Sequence, residues 1–83
     1  SGNQQALALL LQNSYQGVFR YLLKLTKDTQ VSEDLTQEVM LKAISKFHQY
    51  DPGKGQLSTW MIQIGKNLWV DYLRKHKKQV IWI

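Results

Sequence analysis

The chain has 83 residues, 43% of them hydrophobic, and carries a formal charge of +5. A chain this short holds a single core that buries roughly 60% of its unfolded surface, which excludes a second domain. With no cysteine it has neither a disulfide framework nor a thiolate metal site, which suits a reducing, cytoplasmic setting.

Ser1 and Gly2 read as a cloning scar, and the apolar end Val80, Ile81, Trp82, Ile83 reads as the start of an interdomain linker, which leaves residues 3–79 as the domain. The apolar run from Ala6 to Leu11 is far shorter than the roughly 20 residues of a membrane span and lacks the charged flank of a signal peptide. Leu7, Leu10, Leu11, Val18, Leu22 and Leu25 recur at helical spacing, so a first amphipathic helix is expected over about residues 6–27. Gly17 lies inside it. A mid-helix glycine costs about 1 kcal/mol against alanine, so a kink or a close helix contact is expected there.

Ser32 is the expected N-cap of a second helix reaching about residue 49, with Glu33 and Asp34 in the first turn, where the helix dipole favours negative charge. Val31, Leu35, Val39, Ala43 and Phe47 form its core face, widened by Met40 and Ile44. Asp34, Gln37, Glu38 and Leu41 line up on another face at i, i+3, i+4 and i+7. Glu38 lies beyond the reach of the dipole, and Leu41 stands among polar neighbours. Two readings remain: a solvated helix surface, or a docking patch of acids around one apolar knob, aimed at a basic partner helix.

Tyr50, Asp51, Pro52, Gly53, Lys54, Gly55 and Gln56 cannot continue a helix and form the one clear loop. Ser58 or Thr59 is expected to cap a third helix running through the basic end of the chain. On that helix Trp60, Met61, Ile64, Leu68 and Tyr72 share a face assigned mostly to the core. Lys66, Trp69, Leu73 and Lys77 lie opposite, flanked by Gln63, Asn67 and Arg74. Loop and helix together supply cations for phosphates, planar side chains for bases and a flexible segment able to wrap an unstacked nucleotide. Gln63 and Asn67 carry the paired donor and acceptor groups that read base edges, Lys66 and Arg74 can hold phosphates, and Trp60 can act as a wedge against a duplex. Asp71 and Arg74, at i, i+3, can also simply pair with each other. The expected fold is all-α, a compact bundle of three main helices with a Pro/Gly-containing loop before the last.

The strings "EDLTQEVMLKA" and "STWMIQIGKNLWVDYLRK", with Phe47, Tyr50 and Asp51 between them, resemble the second conserved region of bacterial sigma factors, most closely the extracytoplasmic-function (ECF) group. The resemblance covers about residues 15–78. It implies a non-enzymatic promoter-recognition domain that docks on RNA polymerase and captures the melted non-template strand of the minus-ten promoter element. Asp34, Gln37 and Glu38 would contact a coiled coil on the largest polymerase subunit, with Leu41 added from geometry. The loop of residues 50–56 would pocket one flipped base, and Trp60, Asn67 and Arg74 fall on pattern positions. An anti-sigma protein is a further implied partner. Met61 departs from the pattern, standing where many relatives have leucine and housekeeping factors a second tryptophan, so fewer aromatic wedges and stricter promoter matching are expected.

A competing reading is a helical protein-interaction module whose basic face meets an acidic protein or a membrane surface. Catalysis has little support: no nucleophile and base, paired carboxylates or metal set converge, no cofactor or small-molecule substrate is implied, and His48 and His76 read as surface residues.

Overall fold

Residues 2–81 are described for the backbone and residues 5–76 for the side chains in the computed structural model. Three α-helices, α1 (Gly2–Thr26), α2 (Thr29–Ser45) and α3 (Leu57–Ile81), pack pairwise into an all-α bundle, with single 3-10 turns at Phe47–Gln49 and Pro52–Lys54. None of the described helices is long and apolar enough to cross a membrane. Leu11, Val18 and Leu22 of α1, Leu35, Val39 and Ala43 of α2, and Met61 of α3 form the buried core. The periodicity of α1 thus selects its inner face correctly at Leu11, Val18 and Leu22, whereas Leu10 and Leu25 remain exposed.

The turn between α1 and α2 corrects the expected helix start. Lys27 takes a left-handed φ of 57° and its N–H reaches the Leu23 carbonyl at 2.8 Å, which closes α1. Asp28 then caps α2, its carboxylate accepting from the Val31 N–H at 3.0 Å. Ser32 is not the cap but a fully buried residue of the helix: its hydroxyl bonds the Asp28 carbonyl and the Thr26 hydroxyl, each at 2.7 Å. With the cap at Asp28, Glu33 and Asp34 fall beyond the first turn, which holds no acid.

The other end of α2 also differs. The α-helix stops at Ser45, and the Lys46 N–H closes on the Lys42 carbonyl before the chain tightens into the 3-10 turn. Ile44, expected in the core, is half exposed. Ser58 and Thr59 lie inside the first turn of α3 rather than capping it.

Helix contact occurs at a different glycine from the expected one. A Cβ at Gly17 would meet nothing within 4 Å, whereas one at Gly65 would lie 3.2 Å from Leu22 Cδ2 and 3.4 Å from Val39 Cγ2. All three helices therefore meet at Gly65. On α3 the inner side also includes Trp69, packed against the core, although its spacing assigned it to the opposite side. Tyr72 instead joins a surface ladder, with its ring centroid 5.4 Å from that of Trp69 and 3.9 Å from that of His76. Helix α3 runs on through Val80 and Ile81, and the last two residues of the expected linker, 82 and 83, lie outside the described residues.

Candidate nucleic-acid interface

Pro52 fixes the backbone at the start of a 3-10 turn that the Asp51 carboxylate caps, accepting from the Gly53 N–H at 2.9 Å. Gly55 follows at φ 156° and ψ 173°, a conformation essentially closed to residues with a Cβ. The Tyr50 hydroxyl donates to the Gly55 carbonyl at 2.9 Å, drawing the two ends of the loop together. Behind it Tyr50, Phe47 and Trp60 form an aromatic cluster, with centroids 5.4 Å apart for Tyr50 and Trp60 and 5.7 Å apart for Tyr50 and Phe47.

This loop and the first turns of α3 enclose an open pocket of about 290 Å³. Tyr50, Asp51, Lys54, Gly55, Thr59, Trp60 and Gln63 line it, so seven of the residues singled out from the sequence converge there. Pro52 and Gly53 shape the turn without lining the pocket, and half-buried Ser58 does not line it either. Gln56, the last residue of the expected loop, and Gln49, which sequence reasoning missed, complete the lining with two more amides. The position of Gln49 immediately before the loop was the available signal. Its aromatic rings can stack a planar heterocycle, and its amides, hydroxyl, carboxylate and ammonium can bond the edge.

The remaining candidates lie farther along α3. Gln63, Lys66, Asn67 and Arg74 are all exposed on the side away from Met61 and Gly65. Lys66 leans toward α1, its ammonium 5.5 Å from the centroid of the Tyr21 ring. Arg74 and Asp71 do pair, at 3.8 Å, but both are well exposed, so the pairing contributes little and yields easily to another anion. Asn67 is separated from the loop pocket and lines a second cavity between α2 and α3. The Lys77 side chain lies outside the described residues. His48 and His76 are both exposed, as expected.

On α2, Asp34, Gln37, Glu38 and Leu41 are exposed on one face, and Leu41 is 68% accessible. Gln30, one turn earlier, donates to Asp34 Oδ1 at 3.1 Å and extends the polar strip. Exposed Ile44 lies one turn beyond Leu41, so the apolar end of this face is larger than the spacing rule suggested. Because neither Glu33 nor Asp34 caps the helix, the dipole accounts for none of the three acids on it.

Residues 10–79 match the family model described as Sigma-70 region 2. The chain belongs to that family. Among curated proteins, this region 2 domain is 44% identical over 63 residues to the ECF RNA polymerase sigma factor SigM of Bacillus subtilis, covering 76% of the chain and 37% of that protein. It is 27% identical over 74 residues to ECF RNA polymerase sigma factor SigX of the same organism, covering 89% of the chain and 38% of that protein. It is 30% identical over 76 residues to ECF RNA polymerase sigma factor RpoE of Cereibacter sphaeroides, covering 92% of the chain and 42% of that protein. The domain thus spans less than half the length of these relatives. No solved structure matches it. These names agree with the resemblance to the ECF group carried by the motifs of α2 and α3.

Proposed function

We propose that this domain recognises promoter DNA for transcription initiation as the region 2 part of an ECF sigma factor, without catalysis of its own. It docks on RNA polymerase through Asp34, Gln37, Glu38 and Leu41 of α2, which meet the coiled coil of the largest subunit. It takes the non-template strand of the minus-ten element across the loop and the outer side of α3. One base leaves the stack and enters the pocket between Tyr50, Trp60 and Gln63. The strand's phosphates lie along Lys66, Arg74 and Lys77.

The observation that carries this reading is the pocket itself: aromatic walls, several amides that have no side-chain hydrogen bond among the described residues, and one ammonium, at a size suited to a single heterocycle. Extruding a base costs a few kcal/mol, and enclosure plus phosphate contacts offset it without any chemical step. The bound strand then keeps the duplex open for the polymerase.

The test is a fluorescence titration of the domain with short oligonucleotides, read from its three tryptophans. A sequence-dependent preference for single over double strands is expected, with a marked loss when one particular base is replaced by an abasic site. Equal affinity for both forms, or binding to acidic vesicles at similar strength, would overturn the reading in favour of a general basic interaction surface.

A further inference from the structure

The second cavity, about 160 Å³ between α2 and α3, is lined by Lys42, Lys46, Ile64, Asn67, Leu68 and Asp71. Lys42 and Lys46 are one helical turn apart at the end of the helix whose earlier turns carry the acidic strip, and their like charges repel at that spacing. Among the described residues neither ammonium is paired with a carboxylate; Asp71, which also lines the cavity, is well exposed and lies 3.8 Å from Arg74. Half-buried Ile64 and Leu68 form an apolar floor, and exposed Asn67 adds amide donors and an acceptor at the wall. Two cations against the single carboxylate of Asp71, an apolar floor and one amide suit a sugar-phosphate unit: the phosphate between the ammonium groups, the carbon face of the sugar on the floor.

The site also has the right place relative to the loop pocket. Gln63 lines the first cavity and Asn67 the second, four residues apart on α3, about 6 Å along the helix axis. That is one to two nucleotide steps at the rise of roughly 3.4 Å of a stacked strand. Lys66, by contrast, leans to the α1 side.

We propose that the cleft formed by Lys42, Lys46 and Asn67 binds the backbone of the nucleotide next to the extruded base, so that α2 as well as α3 carries the phosphate track. This inference rests on the reading of the loop pocket given above. A strand held here is gripped from the α2 side by two lysines and from the α1 side by Lys66, which fixes its direction across α3.

The test scans single methylphosphonate linkages, which remove one phosphate charge at a time, through a bound single strand. In the unaltered domain, one linkage beside the pocket base is expected to weaken binding roughly tenfold, the size of one charge-assisted contact. In the Lys42→Gln, Lys46→Gln variant that linkage should lose its effect, and the salt slope should fall by about 0.7, the value for one single-strand phosphate. A Lys42→Arg, Lys46→Arg variant should keep both, and unchanged far-ultraviolet circular dichroism establishes that each variant is folded. If the glutamine variant keeps full sensitivity at every linkage while an abasic site at the pocket base still weakens binding, the cleft is not a phosphate site and the pocket reading stands. If the unaltered domain ignores the abasic site as well, both fall.

Discussion

The Tyr50 hydroxyl donates to the Gly55 carbonyl at 2.9 Å while the Tyr50 ring lies against Trp60, so one side chain both closes the loop and walls the pocket. Tyr50→Phe removes only the closure. Because the bond is exposed, its loss is expected to lower stability by no more than about 1 kcal/mol. The base preference measured by oligonucleotide titration should flatten, whereas overall affinity, set by phosphate contacts, should change little. A variant with full selectivity would show that the bond does not shape the pocket.

Reversing both acids of the α2 face, Asp34→Lys with Glu38→Lys, is expected to abolish binding to RNA polymerase. The two residues are exposed and one turn apart, so the double reversal keeps the same like-charge spacing and should preserve helicity. Pull-down with core polymerase and circular dichroism together check this. Unchanged polymerase affinity in a folded variant would remove the docking assignment.

The cap and the buried hydroxyl of the α1–α2 turn separate by substitution. Asp28→Ala should cost about 1 kcal/mol, while Asp28→Asn, which still accepts from the Val31 N–H, should cost much less. Ser32→Ala leaves its polar neighbours Thr26 and Asp28 with one partner fewer and should cost roughly 1–2 kcal/mol. Chemical denaturation of the three variants gives the ranking. If Ser32→Ala were neutral and Asp28→Asn as costly as Asp28→Ala, the assignment of cap and buried bond would be overturned.

The two helical glycines should respond in opposite directions to alanine. Gly17→Ala gains helix propensity in open space and should stabilise the domain by about 0.5–1 kcal/mol. Gly65→Ala gains the same propensity but sets a methyl 3.2 Å from Leu22, which is fully buried and cannot retreat freely. Overpacking of this kind costs about 1–3 kcal/mol, so a net loss is expected. Thermal melts decide it, and stabilisation at both sites would show that the bundle opens easily at the Gly65 crossing.

The local code was legible in the chain. Helical periodicity marked Leu11, Val18, Leu22, Leu35, Val39, Ala43 and Met61, all buried, because a 3.6-residue repeat can present only one stripe to a core. Proline and two glycines marked the loop, because Pro52 restricts φ and Gly55 needs a backbone conformation that a Cβ forbids. Motifs on α2 and α3 pointed to the family. What no spacing rule decided were matters of which helix faces which. Ser32 and Asp28 are both good caps in isolation, and the packing of Thr26 against Ser32 makes one a buried bond and the other the cap. Gly17 and Gly65 look alike along the chain, yet only Gly65 lies where three helices meet. Gln63 and Asn67 share a side of α3, but the loop encloses one and the end of α2 borders the other, so they line different cavities. Such distinctions depend on contacts between residues distant in sequence, and only the packed bundle creates them.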